Sequence, residues 1–344
     1  MESCYYPTRL CWGAATPARM IVGVAYVRRK DQEHMFSAEQ AAKRATASPR
    51  GRSRRRWRGA HAPFWFVIPA LALYALITLV PAGRGTVFAF SDWNGISPDF
   101  NLVGLDNFVK VFTEPLATSA LVNTLVFAAV TMVFQNLFGL LLALALNTVI
   151  KSGGVLRTIF FAPVVLTPLV CGYIWSYLLA PTGGVNSALG FLGLENLQQN
   201  WLGDPQWALA SVCVAYLWQF TGFSMVIYLA GLKALPPELI EAAVIDGAGP
   251  VRRLFSVVLP LINGAVVINL LLTLINGLAQ FDQVYAMTGG GPAKATETIS
   301  TVVFKVGFQG GDIPYATALA TVMAVVVAVL ATVQYRLTAK RVDR

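Results

Sequence analysis

Residues 233–260 read KALPPELIEAAVIDGAGPVRRLFSVVLP, a charged stretch broken by proline and glycine. It lies between two runs, 205–232 and 261–281, that contain no Asp, Glu, Lys or Arg. Those flanking runs decide the fold. Each can hold a helix of about 20 residues, enough to cross roughly 30 Å of hydrocarbon. Further charge-free windows cover 59–83, 115–150, 158–194 and 313–335. A charge at the bilayer centre costs about 2.5–3.5 kcal/mol on insertion scales, so these windows predict six spanning helices. Composition agrees: 12% of residues are charged, against about 25% in a soluble domain. Runs apolar on every face argue against a soluble helical core. Short alternating segments, which a membrane β-barrel requires, are lacking. The expected fold is an all-α integral membrane protein with spans near 64–84, 119–147, 158–180, 207–232, 261–281 and 315–335.

Basic residues set the expected orientation. With the N-terminus inside, the inner segments hold 22 of the 26 Lys and Arg, 13 of them within residues 1–60. The outer segments hold four, Arg84, Lys110, Lys294 and Lys305, together with nine of the 17 acids. Without the tail the count is nine inside against four outside. Both termini and the 233–260 connector are therefore expected to be cytoplasmic. The net charge of +9 is mainly a topology signal, and the Arg50–Arg58 cluster abuts a span rather than marking a nucleic-acid site. Ser53-Arg54-Arg55-Arg56-Trp57 faintly resembles a twin-arginine export signal; with five spans following, it is taken as the inner anchor of the first. Residues 1–60 show no sustained periodicity and are expected to be a disordered basic tail, with residues 61–344 forming the transmembrane body. Met20 and Met35 are alternative starts that the sequence leaves open.

Enzymatic chemistry finds little support. Cys4, Cys11, Cys171 and Cys213 have neither metal-site spacing nor a disulfide framework, and His34 and His61 lie outside the spans. No Gly-Lys pair occurs, so no phosphate-binding loop is present. Uphill movement of a solute would need nucleotide hydrolysis by a partner or an ion gradient. Ion-coupled carriers place ionisable groups at membrane depth, and the spans contain none, which favours a partner ATPase.

The connector reads as two short helices at an angle. Pro236, Pro237 and Glu238 suit a helix start running to about 246. Gly247 and Gly249 interrupt it, and Pro250 can open a second helix ending at Pro260. An amphipathic interfacial hairpin would have the same pattern.

Glu241-Ala242-Ala243, Gly247, Val257 and Leu259-Pro260, at these spacings, resemble the EAA loop of ABC importer permeases, with Val257 at the usual Ile. Asn123-Thr124-Leu125, Arg157 with Phe160, Phe161 and Pro163, Gly184-x-Asn186, Asp246-Gly247-Ala248, and Thr288-Gly289-Gly290-Gly291-Pro292 followed by Thr296 resemble the maltose and glycerol-phosphate branch. The likeness covers about 60–340. It implies a non-catalytic permease in a bacterial inner (cytoplasmic) membrane, with a cytoplasmic helix-turn-helix coupling loop between spans four and five. Glu241, Ala242, Ala243, Asp246 and Gly247 would dock in a dimer of ATP-binding subunits. A second homologous permease and an extracytoplasmic solute-binding protein are implied as partners. The chain itself would bind no cofactor, ATP and magnesium residing in the partner ATPase, and no metal.

Asn269, Thr273, Asn276 and Gln280 recur at intervals of four, three and four, which places them on one helix face. Neutral amides and hydroxyls suit sugar hydroxyls, so they are candidates for lining the path; interhelical hydrogen bonding is the alternative. Tyr216, Gln219, Phe220 and Phe223 are further path candidates, beside Trp218; Gln135, Asn136, Tyr173, Trp175 and Tyr177 are weaker ones. The resemblance puts the Gly289, Gly290, Gly291 and Pro292 turn near the outer gate, although a plain flexible turn has the same composition. The expected cargo is an uncharged mono- or oligosaccharide. An ion-coupled carrier or channel for a small polar solute is the alternative; it predicts intramembrane acids or an internal repeat, and neither is seen.

Overall fold

The computed structural model describes residues 65, 67–97, 99–148 and 152–339. The expected tail over 1–60, with its Arg50–Arg58 cluster, lies outside the described residues. The chain divides into two compact units, Met1–Ala72 and Leu73–Arg344. Among the described residues all named elements are helical, and the one extended pairing is an isolated bridge between Ser91 and Leu102. In chain order the helices are α1 (Ile68–Phe88), α2 (Asp106–Thr113), α3 (Pro115–Leu146), α4 (Gly153–Phe161), α5 (Pro168–Leu178), α6 (Gly184–Phe191) and α7 (Pro205–Lys233). They continue with α8 (Pro237–Ile245), α9 (Pro250–Leu261), α10 (Asn263–Leu278), α11 (Asp282–Thr288), α12 (Ile299–Gln309) and α13 (Ile313–Ala339).

Helices α1, α3, α7 and α13, of 21, 32, 29 and 27 residues, are long and apolar enough to cross a bilayer. The expected span three is broken within its length, and the expected span five starts at a bend. The α4 segment, extended by a 3₁₀ turn to Val165, meets α5 at 97°, and α9 meets α10 at 78°. Among the described residues there are therefore four uninterrupted helices able to cross a bilayer, or up to six if each bent pair is one span.

Proline accounts for the first break. It disfavours helical geometry in the residue before it, and Thr167, ahead of Pro168, is extended at φ −66°, ψ 141°. The backbone left unpaired is satisfied from another helix: Gln219 Nε2 of α7 donates to the Leu166 carbonyl at 2.7 Å. Non-helical backbone at membrane depth survives only where protein or water supplies such partners. Pro81 and Pro260 are accommodated differently. A proline inside a helix clashes with the carbonyl four residues back. Each of the two follows a widened π turn, Ala75–Leu79 or Leu254–Val258, which shifts the local register and relieves the clash.

Helix α3 is the central rod and packs along α7 and α10. Apart from Phe127 and Leu146 its buried stripe is small or polar, including Ala120, Thr124, Ala128, Thr131, Gly139 and Ala143. Lipid chains are as apolar as leucine, so close packing and interhelical hydrogen bonds hold such bundles together. At Gly139 a Cβ would lie 2.6 Å from Ser224 Cβ and 3.1 Å from the Met225 backbone nitrogen. Gly139→Leu is therefore expected to lower stability by about 1–3 kcal/mol, read as a fall in the Tm of the detergent-solubilised chain. Gly154→Ala, where a Cβ meets nothing within 4 Å, should leave Tm close to wild type.

Candidate functional site

The connector between α7 and α10 is built by local rules. Pro237 opens α8, with Glu238 in its first turn. At its end the Ala248 amide donates to the Ala243 carbonyl at 3.0 Å, and the Gly247 amide donates to Val244 at 3.0 Å. This paired closure requires a left-handed residue, and Gly247 supplies it at φ +76°. Pro250 then opens α9, with Arg252 and Arg253 close behind.

One side of the connector is anchored. Leu235, Ile240 and Leu254 pack against a cluster made by Ala143 and Leu146 of α3, Leu229 and Leu232 of α7, and Val258. Other connector residues are open: Glu241, Ala242, Asp246 and Gly247 are exposed, and Ile245 is 85% exposed. Ala243 departs from the other motif residues, since it is buried and its carbonyl closes the α8 terminus. A groove of about 630 Å³ lies between Glu241 and Arg253 on the connector and Leu144, Asn147 and Leu232 at the ends of α3 and α7. Arg157 Nη2 donates to the Leu146 carbonyl at 2.9 Å, placing a cation at the C-terminus of α3, where the helix dipole favours it.

The four polar residues expected on one face of span five divide. Asn269 and Thr273 are buried and bonded to Asn136 of α3, so these two take the interhelical alternative. Asn276 is exposed. Gln280 lies beyond the end of α10, which stops at Leu278, so the four do not share a single helix face. Gln280 is 9% exposed, and its Nε2 has no hydrogen-bond partner.

The hub of this network is a residue the sequence ranks low. Asn136 Nδ2 donates to Thr273 Oγ1 at 2.9 Å and to the Met132 carbonyl at 2.6 Å. Its Oδ1 accepts from Tyr228 Oη at 2.5 Å and from Asn269 Nδ2 at 2.8 Å. One amide thus ties α3, α7 and α10 together with its donors and acceptor all used. Gln135 beside it donates to Ser224 Oγ at 2.9 Å. Gln219 accepts from Gln283 Nε2 at 2.6 Å while holding the α4–α5 break, so it is spent on structure at both ends.

The aromatic candidates divide as well. Tyr216 is 2% exposed and lies between Phe127 and Phe220, with ring centroids at 5.3 and 4.6 Å. Phe223 is half-buried. Trp218 meets Trp175 edge-on at 5.7 Å, and Tyr173 and Tyr177 are exposed.

The glycine turn after α11 is a knot rather than a loose loop. Gly289 and Gly290 have φ of +57° and +89°. Thr288 and Thr296 hydroxyls meet at 2.7 Å, and Thr296 Oγ1 donates to the Gly291 carbonyl at 2.7 Å. From α3, Asn123 Nδ2 donates to the Glu297 carbonyl at 3.1 Å, and Thr124 Oγ1 accepts the Ile299 amide at 3.0 Å. Asn186 ties its own loop similarly, donating to the Gln199 carbonyl at 2.9 Å and accepting from Trp201 Nε1 at 2.8 Å.

The segment between α1 and α2 is pinned as well. Asp92 accepts the Asn101 amide at 2.7 Å and Asn101 Nδ2 at 3.2 Å. These bonds hold its carboxyl below the ordinary 3.8. A lowered value means that the tie is at full strength above the unfolded pKa and is lost as pH falls through the folded one. Spectra of a reporter at Trp93, which stacks on Phe88 at 4.1 Å, are expected to stay constant down to the ordinary aspartate range and change only in stronger acid.

Comparison with known proteins locates the chain. A family model described as "Binding-protein-dependent transport system inner membrane component" matches residues 135–344. The chain is 36% identical over 316 residues to the diacetylchitobiose uptake system permease protein NgcF of Streptomyces coelicolor, covering 86% of this chain and 88% of that one. It is 33% identical over 277 residues to the probable ABC transporter permease protein YurN of Bacillus subtilis, covering 80% and 94%. Among solved structures, a bacterial ABC transporter involved in the import of the acidic polysaccharide alginate matches with TM-score 0.69 and 26% identity, over 80% of this chain and 96% of that one.

Proposed function

The chain belongs to the family of binding-protein-dependent transport system inner membrane components, and from that premise we propose that it is the sugar-conducting permease subunit of an ATP-driven importer. Relatives named for diacetylchitobiose uptake and multiple-sugar transport support the cargo class. These relatives are transporter permeases rather than catalysts, and the ion-coupled alternative has no counterpart among them.

The observation that carries the proposal is the partly anchored connector. It is fixed to the ends of α3 and α7 by Leu235, Ile240 and Leu254, and it leaves Glu241, Ala242 and Asp246 free. Such an elbow can receive force from a partner and pass it to the spans. In this account six spans, the third bent between α4 and α5 and the fifth formed by α10, place both termini and the connector of α8 and α9 in the cytoplasm of a bacterium. A dimer of ATP-binding subunits grips the connector, with Ala243 acting through backbone closure, and carries the ATP and magnesium. A second homologous permease completes the path, and an extracytoplasmic binding protein delivers the sugar, as in the alginate transporter solved with its pentasaccharide-bound periplasmic protein.

Asn276 and Gln280 are the path residues best supported, one exposed and the other holding an unpartnered amide. Asn269, Thr273, Tyr216, Gln219, Phe220 and Phe223 shape the path by fixing its helices. The test is uptake of radiolabelled diacetylchitobiose into proteoliposomes containing this chain, its partner permease, the ATPase and the binding protein. Uptake that requires all four components and ATP supports the proposal; uptake by this chain alone, driven by an ion gradient, overturns it. Asn276→Ala is expected to raise the KM for uptake by about tenfold, the equivalent of one lost hydrogen bond to sugar.

A further inference from the structure

Among the described residues Glu297 is the only buried carboxylate, at 4% exposure. It follows the glycine turn by five residues and precedes α12. Its Oε1 is paired with the Lys305 ammonium, and its Oε2 accepts from Thr301 Oγ1 at 2.6 Å. The same ammonium donates to the Gly289 carbonyl at 2.6 Å. The carboxylate also rests on Gly290, where φ is +89° and any Cβ would fall onto the acid. One side chain of α12 thus holds both the turn and the acid that supports it.

A charge taken out of water is tolerated only while paired, and removing one partner is far costlier than never having formed the pair. Movement of the turn off α12 therefore breaks the Lys305 bond to Gly289 and uncovers the carboxylate seated against Gly290. Asn123 and Thr124 tie Glu297 and Ile299, the latter the first residue of α12, to α3, so α12 is the fixed side and the turn is the part that moves. We infer that Glu297 and Lys305 are positioning residues of the importer, forming a latch that keeps the Gly289–Pro292 turn on α12 and holds the resting permease closed until the loaded binding protein docks. The inference rests on the importer function proposed above.

A weakened latch lets the permease leave its resting state unprompted, which a merely structural role would not do. The assembled importer, with both permeases and the ATPase in proteoliposomes, is assayed for ATP hydrolysis with and without its loaded binding protein. Glu297→Gln and Lys305→Met are expected to raise the unstimulated rate about tenfold, to near the stimulated rate. Lys305→Arg, which keeps charge and donors, should restore dependence on the binding protein. Thr301→Val, which removes one bond to the carboxylate but leaves the ion pair, should give about a twofold rise and supplies the test if the stronger variants do not assemble. Assembled variants that keep wild-type stimulation overturn the latch. Failure of the wild-type assembly to import would instead count against the proposed function.

Discussion

Gly247→Val is expected to abolish coupled import while leaving the chain inserted and folded. A Cβ at 247 would meet nothing within 4 Å, so the effect cannot come from crowding. It comes from the backbone: φ is +76°, and an L-residue held in the left-handed region costs roughly 1–2 kcal/mol, more for a β-branched one. The cheapest escape is to abandon the bonds from Gly247 and Ala248 to Val244 and Ala243, which re-aims α8 against α9. Glu241 and Asp246 would then no longer be presented together. ATP-dependent uptake should fall by tenfold or more, about the effect of 1.4 kcal/mol lost from the docked geometry. Gly247→Asn is the informative control, because asparagine visits the left-handed region readily and should retain most activity. Equal loss in both variants would show that the side chain at 247, rather than its conformation, matters.

Asn136→Leu is expected to be the most destabilising substitution in the membrane-embedded body. It removes the bonds to Thr273, Tyr228 and Asn269 at once. Interhelical bonds in membrane proteins average about 0.6 kcal/mol, and each buried group left unpaired adds a penalty of about 1–3 kcal/mol. Three bonds at that average give about 2 kcal/mol, and one group left unpaired brings the loss to about 3–5 kcal/mol, measured by unfolding in mixed micelles. Asn269→Leu, which removes one of the bonds, should cost less than half as much. A neutral Asn136→Leu would show that helix packing alone sets the register of α3, α7 and α10.

How far the sequence reveals this molecule depends on the range of each interaction. The four straight helices are legible because charge exclusion from hydrocarbon acts on every residue of the run. The connector is legible because its caps are local: Pro237, Gly247 and Pro250 each fix their own backbone. The bends are only half legible. Pro168 marks one, but the break persists because Gln219, 53 residues away, satisfies Leu166. The polar network is less legible still. Spacing placed Asn269, Thr273, Asn276 and Gln280 on a common face, yet α10 ends before Gln280, and Asn136 from another helix claims the first two. Asn136 itself gave a faint signal as half of an isolated Gln-Asn pair within the charge-free window 115–150. The glycine turn left a flexible loop open as an alternative, since the threonine, asparagine and ion-pair ties around it join residues up to 175 positions apart.

The central claim is that the 237–261 connector faces the cytoplasm and is gripped there by the ATPase. The most direct measurement is labelling of an Ile245→Cys variant, at a position 85% exposed, with Cys4, Cys11, Cys171 and Cys213 replaced by alanine, using a membrane-impermeant maleimide in sealed vesicles of either orientation. Labelling only in inside-out vesicles, with protection once the ATPase subunits are bound, is the predicted result. Labelling in right-side-out vesicles, or inside-out labelling that the bound ATPase leaves unchanged, would contradict it.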